Sequence, residues 1–599
     1  VGRSRLEQAR WADESFEKWS VLIRKLGGEI DPNFRRDVGG LTFIPVAIHG
    51  EALDDVVRFN PLRAIRPMPE IRPVPGIDLR ALFGKVTPSC AATEGRIPEI
   101  VVATFDGGVN AALPHFSPFV VARDLTPEPV DSQFADHGAM VTSALLYGPV
   151  RPGNQLPDPT ARVVHYRVLP APAVAGGIDA RSYWILDRIL EGIKQGDHSL
   201  VNLSIGPDEC VDDDLEPTRW TTQLDQIARE RAVTIVCAAG NNGLDPGQDM
   251  NRVLAPSDMV NGIGVGSCAE SDVAAKLARA PYSAVGPGRE GQRVQPTGVA
   301  FGGSSKDMFF ALDGRGGVVA TAGTSFAAPV VSRGLGELFG YLEPERRQPN
   351  IARAFAVHFA SRLSRGHRSL ELGHGRLPET YRSHLECSSN QCTVLYEEEL
   401  RRGGVIALRF PFPQGMAPNS PIDIRWTLTF VTEVDTRDAS DYTSCGLEVT
   451  FRPNSRVRPV YPPRGKKGKA VALHLDRDRT ALEAAMAAGA HVSNNPVAHP
   501  RWRSKRNEAR LRLEGKWETI VCGRVQAEAA DLDDPRLDVL YLRRESGVLV
   551  SGSTVQPLRI AMLLTITAPE GIPIYDQVAS QFTVLVPLVT LPVVLPGVA

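Results

Sequence analysis

The chain has 599 residues, 43% hydrophobic and 23% charged, and a formal net charge of −2 from 67 basic and 69 acidic side chains. At about 100–200 residues per domain, that length calls for three or four domains. The composition excludes a disordered or fibrous chain, and the near-neutral balance excludes a whole-chain field directed at nucleic acid or membrane.

The first residues, VGRSRLEQARW, are charged and carry no apolar stretch of the kind a secretory signal needs. A stripe of Phe16, Trp19, Leu22, Ile23 and Leu26 predicts a helix that Gly27 and Gly28 end. LTFIPVAIH (41–49) reads as a strand, EALDDVVRF (51–59) as a short helix and LRAIR (62–66) as another strand. RPMPEIRPVPG (66–76) then reads as an extended, proline-rich linker.

From 77 to 385 short apolar runs alternate with amphipathic stretches. EIVVATF, ARVVHYRVL, HSLVNLSIG and AVTIVCAAG look like strands buried on both faces; SYWILDRILEGIKQG and TTQLDQIARERA look like helices between them. That order predicts an α/β fold, a parallel sheet covered by helices on both faces. From 386 to 599 the pattern turns to strands separated by Gly, Pro and Asp, which predicts a β-sandwich. An insertion at about 452–516 interrupts it, with 16 Lys or Arg against 5 Asp or Glu and one helical piece, TALEAAMAAGAH. The apolar end, FTVLVPLVTLPVVLPGVA (582–599), is broken by Pro587, Pro592 and Pro596, so an edge strand or docked tail is expected instead of a membrane span. Eight cysteines are too few for a disulfide scaffold. Cys387 and Cys392 have no second ligand pair close by and read as core or loop thiols, so no metal site is expected.

Four short sequences stand at predicted strand ends or helix starts: Asp106 closing VVATF, His137 in ADHGAMVTSAL, Asn241 in CAAGNNG and Ser325 in TAGTSFAAPVV. Each alone fits a plain turn. Together they offer the parts of acyl transfer by a hydroxyl. A serine needs a base to take its proton, and histidine titrates in the right range. A buried carboxylate orients the imidazole, and a side-chain amide stabilises the oxyanion.

The order Asp, His, Asn, Ser resembles the subtilases, the subtilisin-like serine peptidases. Asp106-Gly107-Gly108-Val109 resembles that family's Asp-Ser/Thr-Gly-Ile, and His137-Gly138-Ala139-Met140-Val141 its His-Gly-Thr-His-Val. Gly323-Thr324-Ser325-Phe326-Ala327-Ala328-Pro329 resembles Gly-Thr-Ser-Met-Ala-x-Pro, and Ala238-Ala239-Gly240-Asn241 the oxyanion strand. The resemblance spans about 77–385 and closes near ELGHGRLPE (371–379). It implies a serine endopeptidase with Ser325 as nucleophile, His137 as base, Asp106 as orienter and Asn241 as oxyanion donor. It also implies an extended peptide or protein substrate between Ser204-Ile205-Gly206 and Ala238-Ala239-Gly240, although Ile205 could equally pack the sheet. The alternative is a binding or scaffold protein on a peptidase fold, inactive or active only when a partner releases it.

The departures carry expectations too. Pro114 is followed by His115 where the family commonly has a calcium-binding Asp, and YGPVRPGNQLPDPTARV (147–163) lacks a recognisable calcium loop, so no cofactor is expected. Residues 1–76 have the strand–helix–strand rhythm of a subtilase propeptide, an α+β domain that caps the active site. Large cytoplasmic subtilases of similar architecture occur beside AAA-type ATPases in phage-defence gene pairs. That likeness implies a cytoplasmic location, such a role and such a partner. The basic insertion, with Trp502 and Trp517 nearby, invites a nucleic-acid reading, but a solvated insertion or a surface for an acidic protein partner is the favoured account.

Overall fold

The computed structural model describes residues 5–71, 77–172, 178–211, 216–247, 250–274, 276–361, 369–466, 468–502, 507–513, 515–544 and 557–588. Pro73 and Pro75 of the linker, residues 503–506 of the basic insertion and the tail from 589 lie outside them. The chain folds as two compact units. One comprises 1–383, 431–444 and 544–552; the other comprises 384–430, 445–543 and 553–599.

The first unit is built on seven parallel strands in the order Gly298–Phe301, Ile263–Cys268, Thr234–Ala238, Leu200–Leu203, Val101–Asp106, Arg162–Arg167, Val120–Asp124. The inner strand Leu200–Leu203 is buried at every position, apolar except for Asn202. One face carries the helices Arg181–Gln195 and Arg219–Glu230. Ile185, Ile189, Trp220 and Leu224 pack there on Ala103, Phe105, Val201 and Ile235. The helices Ser132–Tyr147 and Thr324–Tyr341 pack together and against the sheet on the other side. The strand order reverses between Val101–Asp106 and Leu200–Leu203, and in such sheets the crevice beyond the carboxyl ends at that point takes the ligand. A three-stranded antiparallel sheet, Phe309–Leu312, Val318–Ala322 and Ile77–Gly84, leads into the Thr324–Tyr341 helix.

The N-terminal residues belong to the same unit. Their helix runs Arg5–Lys25, longer than the apolar stripe predicted, and buries Trp19 and Ile23 with Ile30 and Val56. Pro45 divides the predicted strand 41–49 into Leu41–Phe43 and Val46–Ala47, each paired in its own two-stranded ribbon. Residues 62–66 form no strand. Ion pairs hold them instead: Arg63 Nε lies 3.0 Å from Glu216 Oε1, and Arg66 3.3 Å from Glu209.

The second unit is a pair of antiparallel sheets. Gln391–Leu400, Leu558–Thr567, Pro421–Phe430 and Ile520–Glu528 form one; Val405–Arg409, Arg536–Arg543 and Cys445–Arg452 form the other. Trp426, Phe410, Phe451 and Trp502 stack in its core. The insertion contributes three short strands and the helix Arg479–Ala487. Trp502 and Trp517 are only 9% and 8% exposed, so neither offers a free ring face for a base. Among the described residues no helix is long and apolar enough to cross a membrane.

Candidate active site

The four singled-out residues converge at the carboxyl ends of the central strands. Asp106 is the last residue of its strand and is fully buried. His137 lies in the first turns of the Ser132–Tyr147 helix, whose start is fixed by Asp131 accepting from Gln133 N at 2.8 Å. Nδ1 of His137 stands 2.9 and 3.0 Å from the two Asp106 oxygens. A carboxylate only accepts, so Nδ1 carries a proton, and in the neutral ring Nε2 presents a lone pair. No protein atom among the described residues hydrogen-bonds that buried Nε2. Held this way, an imidazole can take a proton from a hydroxyl.

The close approach of helix to strand explains one departure in the motifs. A Cβ on Gly107 would collide with the Phe134 backbone. The hydroxyl residue that resembling motifs carry there has no room. Gly107 N–H instead donates to Asp106 Oδ1 at 2.7 Å, fixing the carboxylate through the main chain.

Ser325 is the second residue of the Thr324–Tyr341 helix and is 4% exposed. Its neighbour Phe326 packs against the His137 ring, centroids 5.9 Å apart. Ser325 Oγ donates to Ser204 O at 3.1 Å, and Ser204 Oγ donates back to Ser325 O at 2.9 Å. Asn202 Nδ2, donating to Ser204 Oγ at 3.0 Å, completes the tie between strand and helix. Asn241, just beyond the Thr234–Ala238 strand, accepts through Oδ1 from Thr324 N at 2.9 Å and from Thr324 Oγ1 at 3.0 Å. Two donors on Oδ1 fix which end of the amide is the oxygen and which the NH2 group.

The flanking residues expected to contact substrate divide. Ser204 spends its hydroxyl and carbonyl on Ser325, and Ile205 packs into the core beneath the sheet. Gly206, Ala238 and Gly240 are half-buried, and Ala239 is fully buried. Beyond Gly206 the linker lies alongside: Ile71 pairs antiparallel with Pro207, and Asp208 N donates to Glu70 O at 2.9 Å. His115, at the position following Pro114, sets Nε2 3.3 Å from Val86 O, which offers no carboxylate for calcium.

Sequence reasoning missed His165. It sits fully buried in the Arg162–Arg167 strand, directly behind the Asp106–His137 pair. Burial, outweighing the attraction of Asp106, pushes its pKa down to about 4. The available signal was a histidine following two valines in the strand-like run ARVVHYRVL.

Residues 98–375 match the sequence profile of the subtilase family. The uncharacterized protein y4bN of Sinorhizobium fredii (strain NBRC 101917 / NGR234) is 26% identical over 304 residues, covering 41% of this chain and 69% of that protein. Among solved structures, the epidermin leader peptide processing serine protease EpiP of Staphylococcus aureus is 17% identical with a TM-score of 0.41, covering 62% of this chain and 97% of EpiP. The patellamide maturation protease PatA is 23% identical with a TM-score of 0.35, covering 47% of this chain and 94% of PatA. Over residues 98–375, then, the chain carries a match to the subtilase family of subtilisin-like serine peptidases.

Proposed function

We propose that the chain is a serine endopeptidase in which Ser325 attacks the scissile carbonyl and His137 Nε2 takes the Ser325 proton. Asp106 holds the resulting imidazolium, and the Asn241 NH2 group donates to the oxyanion. The protonated His137 then gives that proton to the leaving amine, and water hydrolyses the acyl-enzyme by the same route in reverse roles. The observation that carries this reading is the Asp106–His137 pair, with its outward Nε2 beside the helix whose second residue is Ser325. A fluorophosphonate probe is expected to label Ser325, with Ser325→Ala abolishing both labelling and peptide hydrolysis. Labelling that persists in the variant would overturn the assignment.

A conditionally active enzyme is the second reading, favoured by the bond from Ser325 Oγ to Ser204 O. The hydroxyl must turn away from that carbonyl to reach His137, so a partner or substrate that competes for it would switch the enzyme on. Labelling that rises on addition of cell lysate distinguishes the two. Residues 1–76 act in this reading as an inhibitor in cis, supported by the linker bonds to Pro207 and Asp208 beside the crevice. The substrate is an extended peptide, the class that a strand edge binds. A cytoplasmic location, a phage-defence role and an AAA-type ATPase partner rest on the architectural likeness, and co-purification with an ATPase is their test.

A further inference from the structure

Two hydrogen bonds to His165 and a third from Thr142 form one chain. Gly108 N donates to Nε2 at 3.1 Å, Nδ1 lies 2.9 Å from Thr142 Oγ1, and Thr142 Oγ1 donates to Gly138 O at 2.8 Å. Their directions allow one assignment. A backbone N–H can only donate, so Nε2 carries a lone pair. A neutral ring then has its proton on Nδ1 and gives it to Thr142, whose own hydroxyl proton is used on Gly138 O. Every group is satisfied once. An imidazolium, or the other neutral tautomer, would set an N–H against the Gly108 N–H.

The ends of this chain of bonds matter. Gly108 lies two residues after Asp106 in the turn whose Gly107 N–H fixes the carboxylate, and Gly138 follows His137 directly. The packing is tight: a Cβ on Gly138 would stand 2.9 Å from His165 Cε1. We propose that His165 is a positioning residue, a neutral Nδ1-protonated imidazole that ties the turn after Asp106 to the helix carrying His137. This inference rests on the peptidase reading for its effect on rate. Its low proton affinity, set by burial against the opposing charge of Asp106 and lowered further by His137, keeps the ring neutral through the range where a peptidase works.

The test compares three substitutions in the full chain. His165→Gln sets an oxygen near the place of Nε2 and keeps an acceptor for Gly108. His165→Asn sets an amide near Nδ1 and keeps only the Thr142 bond, and His165→Phe fills the volume with neither. Loosening either tie misplaces Asp106 relative to His137, so kcat is expected to fall by roughly 10–100-fold with KM little changed. The acid limb of kcat/KM should move to lower pH, because a misplaced Asp106 stabilises the imidazolium less. His165→Gln should retain the most activity. Folded variants with wild-type kcat and an unmoved acid limb would overturn the proposal, and so would a uniform loss with the limb unmoved, which marks packing alone.

A second readout does not depend on turnover. Imidazole nitrogen NMR of the Ser325→Ala chain should show His165 as one neutral Nδ1–H tautomer, unchanged from pH 5 to 8. A titrating signal or an Nε2–H tautomer would overturn the proposal. Failure of the peptidase reading would show separately, as a wild-type chain that no fluorophosphonate labels.

Discussion

At the scale of single residues the site is organised by what each hydrogen bond excludes. Two donors from Thr324 hold Asn241 Oδ1, so the NH2 group is the end of the amide that the proposed mechanism uses. Asn241→Ala is expected to fold and to lose roughly 100–1000-fold in kcat, the usual cost of one oxyanion donor; steady-state kinetics on a peptide substrate measure it. Gly107 makes the opposite demand. Restoring the hydroxyl found in resembling motifs, Gly107→Ser, drives a Cβ into the Phe134 backbone. Overpacking of this kind costs about 1–3 kcal/mol, so thermal unfolding should show a lower midpoint in this variant, together with slower turnover.

At the scale of elements the linker carries the clearest consequence. Residues 62–71 follow no ladder of their own. They are held by Arg63 on Glu216 and Arg66 on Glu209, then by the backbone contacts of Glu70 and Ile71 with Asp208 and Pro207. Pro67 and Pro69 have no N–H to donate, so the segment pairs with the strand edge less completely than an ordinary peptide would. An X–Pro bond is also a poor leaving amide in most peptidase sites, which leaves Glu70–Ile71 and Ile71–Arg72 as the bonds open to cutting. Residues 1–76 are therefore expected to stay attached, or to be lost only slowly at those two bonds. Intact-mass measurement over hours, beside the Ser325→Ala variant, decides it. Rapid loss of about the first 70 residues in the active form alone would point to ordinary zymogen maturation.

At the scale of the molecule, the segment 431–444 folds with the subtilase unit although strands of the other unit flank it in sequence. It is held by a buried polar cluster. Tyr442 OH donates to Asp225 Oδ2 at 2.9 Å, and Asn261 exchanges bonds with the Thr432 backbone at 2.9 and 3.0 Å. Arg289, paired with Asp258 at 2.6 Å, lies over the Tyr442 ring. Tyr442→Phe leaves Asp225 short of a donor and should destabilise the unit by about 1–3 kcal/mol. Burial, helped by the charge of Asp258, pushes the Asp225 carboxyl up to about 7 despite its donors. Between its ordinary value near 4 and that value, the folded chain holds a proton that the unfolded chain has released. Stability from this group is therefore greatest at acid pH and falls as pH rises toward 7, by about 1.4 kcal/mol per unit at most. Denaturant unfolding from pH 4.5 to 7.5 should show this slope in the wild type and lose it in Asp225→Asn.

What the sequence determined by itself is what local chemistry can express. Apolar runs of strand length, amphipathic helices and a Gly-Thr-Ser turn into a helix are each written in neighbouring residues, and so the parallel sheet and the four residues proposed for the site were legible. Ser204 was legible as a strand end but not as the partner of Ser325, and the strand expected at 62–66 failed because a strand exists only if another lies beside it. Only the tertiary structure decided that Ile205 faces the core, that Trp502 and Trp517 are covered, and that 431–444 packs with the subtilase unit. It alone set His165 between a turn and a helix whose contacting residues lie 57 and 23 residues away along the chain. Such roles are defined by which atoms approach across long separations, and burial then fixes protonation and tautomer. No window of sequence contains that information.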